Sequence, residues 1–287
     1  MREDESLADF TPGRVVELSP GLRRIVAPNA GPFTGPGTNS YLLGEEERIL
    51  IDPGPDLADH VEALLQAGEG RIAWVLVTHT HADHSPAARA IRRATGATVV
   101  GALAPDDGRQ DVRFRPDVQP ADGERILADG LALHCVATPG HASNHFCFLL
   151  EGEGILFTGD HILGHVSPVI LPPDGSMADY LESLQRLKAL PLAWIAPGHG
   201  PPLPDPVGVI DRLVDHRLGR EARVMAALER LGSSALEQLL PEVYADVDPT
   251  LHQLAICSLH AHLIKLERDG RVVQAAGSSW TLLTSRR

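Results

Sequence analysis

The chain has 287 residues, of which 43% are apolar and 4% aromatic, which suits one large core with a small appendage and leaves few stacking surfaces for nucleic acid. The net charge of −13 arises entirely before residue 208: residues 1–207 hold fifteen Lys and Arg against twenty-eight Asp and Glu, and residues 208–287 hold ten of each. Such an acidic part suits divalent cations and steers polyanions poorly, and no run of about 18 apolar residues offers a membrane-spanning helix.

Residues 1–13 read as a flexible acidic N-terminus without the apolar stretch of a signal peptide. Cys135, Cys147 and Cys257 are odd in number and scattered, as expected of free thiols in the cytoplasm. From residue 14 the expected elements follow in order. Apolar runs predict strands over 21–26, 40–43, 48–51, 72–77, 98–100, 131–137, 146–150, 154–157 and 193–196. Three helical patterns are interleaved: 56–67 with Asp56 as its cap, 87–94 opened by Ser85-Pro86, and 176–190 with Leu181, Leu184 and Leu187 on one side. Helices on both faces of paired sheets are the reading for 14–205. The Pro-rich segment 200–206 ends that unit. Beyond it come a helix over 209–231, a second from Ser234, a third capped by Asp248-Pro249, and a hairpin of 272–274 with 280–283. Helices followed by a two-stranded wing define a winged-helix-like domain over 206–287. Its zero net charge points to packing or dimerisation, and so to a homo-oligomer, rather than to DNA.

The chemistry lies at the ends of the strands. His79-Thr80-His81-Ala82-Asp83-His84 follows the run 72–77 and places three imidazoles and a carboxylate within six positions, a pattern that marks a metal site. Three Gly-containing turns carry further ligand types after short apolar runs: Pro139-Gly140-His141, Gly159-Asp160 and Pro197-Gly198-His199. Each turn alone is a common connector; together they are a constellation.

With Asp52 after an early strand, His-x-His-x-Asp-His at 79–84, His141, Asp160 and His199, the chain resembles the metallo-β-lactamase superfamily over roughly residues 14–205. The stretches 29–41 and 172–175 are similar to the subgroup called beta-lactamase-like protein 2, which carries a C-terminal winged helix and includes zinc-dependent endoribonucleases. One departure is His165-Val166-Ser167-Pro168, where bacterial relatives have a Trp-Ser-Thr-Ser-like stretch. The resemblance implies an α/β fold, a four-layer αβ/βα sandwich. It implies two Zn²⁺ ions, one held by His79, His81 and His141 and the other by Asp83, His84 and His199, with Asp160 bridging them. A donor set without thiolates also admits Mn or Fe. The two ions would trap a bridging hydroxide that attacks the substrate, with Asp83 holding it by hydrogen bond. Asp52, His145 and His161 are expected behind the ligands, orienting them.

For substrate contacts the candidates are Phe33, in the Pro- and Gly-rich loop 28–37, and a cationic strip of Arg212, His216, Arg220 and Arg223 on the helix from 209. His60 reads as a surface residue. The function expected from the resemblance is a cytoplasmic dinuclear hydrolase, an endoribonuclease on single-stranded RNA. A thioesterase of the glyoxalase-II kind, acting on a small acyl substrate, is the alternative that the acidic charge favours. A non-catalytic metal-binding regulatory module is the third reading.

Overall fold

The computed structural model describes residues 9–283. Two sheets face each other. The first has six strands in sequence order, β1 (Val15–Ser19), β2 (Leu22–Val26), β3 (Asn39–Leu43), β4 (Arg48–Ile51), β5 (Ile72–Leu76) and β6 (Thr98–Val100). The first four are antiparallel, whereas β4, β5 and β6 are parallel. The parallel connections pass through α1 (Ala58–Gly68) and α2 (Ala88–Thr95). The second sheet runs β11 (Trp194–Pro197), β10 (Ile155–Gly159), β9 (Phe146–Leu150), β8 (Leu131–Ala137), β7 (Arg125–Ala128). Its one parallel pair, β10 with β11, is joined through α3 (Met177–Lys188).

Three apolar layers hold four layers of structure together. Tyr41, Ile49, Leu133, Phe148 and Phe157 fill the space between the sheets. Tyr41 and Phe157 meet edge to face with ring centroids 5.2 Å apart, a contact worth about 0.5–1.5 kcal/mol beyond the area it buries. Leu64, Val75 and Ile91 seal α1 and α2 to the outside of the first sheet. Tyr180, Leu184, Ile195 and Ile210 seal α3 and the start of α4 (Pro206–Leu231) to the outside of the second. The fold is thus the expected αβ/βα sandwich.

The C-terminal part continues with α5 (Leu236–Val243), a 3-10 turn at Pro249–Leu251, α6 (His252–Arg268), and the hairpin of β12 (Val272–Gln274) with β13 (Trp280–Leu282). Val224, Leu239, Leu259, Leu263 and Trp280 form its own core. Ala261 of α6 reaches the layer under α3, so the winged helix lies directly on the sandwich.

Several expectations need correction. Of the segment expected to be flexible, residues 1–8 lie outside the described residues, whereas 9–13 are tied to β2. Gly13 N–H donates to Val26 O at 2.9 Å and Arg24 to Asp9 O at 2.6 Å, with the Arg24 guanidinium 4.3 Å from the Phe10 ring centroid. Helix α1 begins at Ala58 after Leu57, without a side-chain cap from Asp56. Asp248 caps the 3-10 turn that leads into α6, accepting from Thr250 N–H at 2.8 Å. Strands β1 and β7 were not expected from the sequence.

Candidate metal centre

The donors gather at the carboxyl ends of β4, β5, β8, β10 and β11. Two hydrogen bonds fix the sheets relative to each other there: Phe146 N–H donates to Thr78 O (2.8 Å), and the Tyr41 hydroxyl donates to Pro197 O (2.8 Å). Asn39 also donates to Pro197 O and Gly200 O, pinning the turn that carries His199. The turn at Gly159 has φ +45°, and a Cβ there would sit 2.3 Å from Thr78 Oγ1. Gly159→Ala is therefore expected to cost about 1–3 kcal/mol through backbone strain and displacement of Thr78, read as a lower urea midpoint of unfolding.

Two groups of donors result. One atom each from His79, His81, His141 and Asp160 lie within 4.8 Å of one another, and so do those of Asp83, His84 and His199. The carboxylate of Asp160 faces both groups. Its Oδ2 is 3.6 Å from His141 Nε2, and its Oδ1 is 3.2 Å from both His84 Nε2 and His199 Nε2. Asp83 Oδ2 lies 3.2 Å from His199 Nε2 and accepts from Thr38 Oγ1, also at 3.2 Å.

Hydrogen bonds behind the donors dictate which ring nitrogens are bare. His141 Nδ1–H donates to Val169 O (2.9 Å), and His199 Nδ1–H to Gly37 O (3.1 Å). His84 Nδ1–H donates to Asp52 Oδ2 (2.8 Å). Asp52 also accepts from Thr78 N–H and Oγ1–H, 2.8 Å each, so the Thr78 oxygen is left to accept from His79 Nδ1–H (3.0 Å). Each of these four rings thus turns an Nε2 lone pair inward.

The bare lone pairs do not satisfy each other. His79 Nε2 and His141 Nε2 lie 2.8 and 3.0 Å from the same atom, His81 Nδ1, which can donate only one proton. His84 Nε2 and Asp160 Oδ1 are buried 3.2 Å apart without hydrogen-bond geometry between them, and neither makes a hydrogen bond to any other described residue. Buried polar groups normally have partners, and a cation in each group would supply them. The residues fit two metal ions bound through N and O, since Cys135 and Cys147 are buried in β8 and β9 and face neither group.

The electrostatics follow from the same contacts. Burial, then neighbouring His84 and His81, drives His79 well below its ordinary pKa. Burial opposes charge on His84 and His199 too, but there the acidic neighbours win. Asp83, Asp160 and Asp52 raise His84 well above its ordinary value, and Asp160 chiefly raises His199 to about 9.

Each residue singled out in the sequence can now be placed. Asp52, with φ +48°, is the residue that fixes His84. His145 is fully buried, accepts or donates at Nδ1 with Thr138 Oγ1 (2.9 Å) and lies 5.0 Å, ring to ring, from His79. His161 touches no donor by hydrogen bond. It packs on the Tyr180 ring at 4.8 Å, and burial lowers its pKa to about 3. Phe33, His216 and Arg220 line one cavity of about 260 Å³ together with His141 and Asp160. The strip itself is not free charge. Arg220 and Arg223 both pair with Asp246, at 2.7 and 2.8 Å, and Arg220 is buried; Arg212 is 3.6 Å from Asp205. His60 is 1% exposed, not a surface residue, and its Nε2 shares a hydrogen bond with Ser40 Oγ (3.1 Å). Sequence reasoning missed Thr38, Thr78 and Arg217. For Thr78 the only signal was its place directly before the His motif.

Donors converging in this way at one edge of an αβ/βα sandwich define a metal-dependent hydrolase. Residues 33–199 match the metallo-beta-lactamase superfamily, and residues 235–280 match the beta-lactamase associated winged helix domain. The chain belongs to the metallo-beta-lactamase superfamily. It is 32% identical to a beta-lactamase-like protein 2 homolog of Caenorhabditis elegans, over 90% of this chain and 88% of that protein. It is 30% identical to an atrochrysone carboxyl ACP thioesterase of Cryptosporiopsis sp., over 90% of this chain and 83% of that one. A metallo-beta-lactamase family protein of Thermus thermophilus superposes with a TM-score of 0.77 at 25% identity, covering 93% of this chain and all (100%) of that one.

Proposed function

We propose that the protein hydrolyses the thioester of a small acyl group. The carrying observation is the cavity beside the metal centre. Besides His141 and Asp160 it is lined largely by apolar side chains, among them Leu163, Val166, Val169, Val247 and Leu254. At about 260 Å³ it lies just below the usual range of ~300–1,000 Å³ for ligand sites. An acyl chain fits such walls. A polynucleotide needs an open, positively charged groove with stacking surfaces, and here Arg220 and Arg223 are already engaged by Asp246. The similarity to a carrier-protein thioesterase points the same way.

In this reading His79, His81 and His141 hold one ion, Asp83, His84 and His199 the other, and Asp160 faces both. Zn, Mn and Fe all suit these donors. When bound, the metals supply a water acidified toward neutral pH and positive charge for the developing oxyanion. The residues behind them keep the site in register: Asp52 fixes His84, Thr78 fixes His79, Val169 O fixes His141, and Gly37 O fixes His199. Asp83 stays ionised despite burial because His84 and His199 outweigh the desolvation. As an anionic acceptor it orients the attacking water. The water oxygen then bonds to the acyl carbon and the C–S bond breaks. Sulfur leaves with the electron pair and takes one proton, while the second proton passes to solvent as the product acid ionises.

Asp83→Asn keeps the shape but removes the anionic acceptor. Turnover is expected to fall about 10–100-fold, with the metal of the His79, His81 and His141 group retained by elemental analysis. A fully metallated variant with unchanged turnover overturns that role. The reaction itself is tested on metal-loaded protein with acyl thioesters of N-acetylcysteamine beside single-stranded RNA. Thioester turnover with intact RNA is the expected result, and RNA cleavage without thioester turnover refutes the reading.

A further inference from the structure

The cavity contains a buried charge that no carboxylate among the described residues pairs with. Arg217, on α4, is 3% exposed and lines the cavity together with His141 and Asp160. Two other buried arginines have carboxylates: Arg48 has Glu69 at 3.0 Å, and Arg220 has Asp246 at 2.7 Å. Arg217 has no carboxylate partner among the described residues. Its guanidinium donates to Pro168 O and lies 5.3 Å from the Tyr180 ring centroid, while its Nε has no hydrogen-bond partner. Glu221, four residues along the same helix, is committed to Lys265 (2.7 Å) and Arg271 (3.0 Å). The ring of His262, with which Arg217 interacts electrostatically, offers no negative charge. Two further groups lining the cavity, the hydroxyls of Ser167 and Tyr244, are also buried without partners.

A buried ion without a counter-ion costs several kcal/mol, and a fold does not retain one for stability. We propose that the substrate's acyl group carries a second, negatively charged carboxylate and that Arg217 receives it. This inference rests on the thioester reading above. The substrate class is then the half-thioester of a short dicarboxylic acid: one carbonyl at the metals, the free carboxylate at Arg217, and a methylene chain along the apolar walls. Pro168, which holds the guanidinium, lies in the segment between β10 and α3 that also supplies Leu163, Val166 and Val169 to the cavity wall.

The test compares glutaryl and pentanoyl thioesters of N-acetylcysteamine, equal in chain length and different in charge, on metal-loaded full-length protein. A charge-assisted contact is worth ~1.5–3 kcal/mol, so kcat/KM is expected to favour the glutaryl thioester about 10–100-fold. Arg217→Met, which keeps the stem, is expected to abolish the preference, and Arg217→Lys to keep part of it. Thermal unfolding supplies a readout independent of turnover. Free glutarate should raise the Tm of the wild type and not that of Arg217→Met. Arg217→Met should itself raise the ligand-free Tm, because relief of a buried charge without a carboxylate partner outweighs the lost hydrogen bond to Pro168 O. Equal rates on both thioesters with no response to glutarate overturn the inference and leave the thioester reading standing. No turnover of either thioester, with glutarate stabilising the wild type through Arg217, overturns the reaction and keeps the carboxylate site. A lower ligand-free Tm in both variants with an unchanged thioester preference makes Arg217 structural and also overturns the inference.

Discussion

Asp160→Ala is expected to reduce bound metal from about two ions per chain to one or fewer, and to lower turnover by at least about a thousandfold. The reason is positional. Among the described residues, Asp160 is the only carboxylate with an oxygen toward each donor group: Oδ2 toward His141, and Oδ1 toward His84 and His199. Without them the second group keeps Asp83 as its single carboxylate against two imidazoles, so charge compensation for a divalent ion falls by half. His79→Ala should act on the other group, removing a nitrogen that Thr78 and Asp52 hold in place. Elemental analysis of the purified variants measures both effects and names the metal in the same experiment. Stoichiometric metal undisturbed in Asp160→Ala and His79→Ala together would falsify the ligand assignment.

The site was legible in the sequence because its donors are local in sequence as well as in space. His79, His81, Asp83 and His84 share one loop, and the other three each follow a short apolar run that had to be a strand. What the sequence hid is the side of the site remote from the metals. Arg217 and Arg220 lie on a helix whose charge suggested a substrate-contacting strip, yet both are buried. Their environment comes from segments distant in sequence: Asp246 after α5, and Pro168 after β10. Periodicity within a helix does not report such partners. The two strands absent from the sequence reading have only five and four residues and lie at sheet edges, where burial alternates or is partial, so they lack a continuous apolar run. His60 illustrates the same limit. It is buried because Gly54 leaves room, as a Cβ there would sit 2.7 Å from His60 Nε2, and no pattern within α1 shows that gap.

Two buried histidines should make the fold sensitive to acid. Burial lowers His60 to a pKa of about 4, with the Pro53 backbone opposing the shift. His262 on α6 is fully buried, and neither ring nitrogen has a hydrogen-bond partner among the described residues. Burial, then the charges of Arg217, His216, Lys265 and Arg220, lowers it to about 3. In the unfolded chain both rings take a proton near pH 6.5. Between pH 6.5 and about 4 the unfolded state therefore binds more protons than the folded one, so stability rises with pH across that window and is lost as pH falls. From pH 7 to 4.5 the expected loss is on the order of 2–3 kcal/mol for each histidine. The metal ligands also take up protons in acid, so the diagnostic quantity is the difference between wild type and variant, measured on protein stripped of metal. His262→Leu is expected to remove its share of the acid loss, and to raise stability at pH 7 as well, because it replaces two unpartnered nitrogens with apolar atoms. Urea unfolding at pH 7 and 4.5 measures both. An acid loss of equal size in wild type and His262→Leu would mean that the imidazole is already protonated in the folded protein, with a buried counter-ion or water that these contacts do not include.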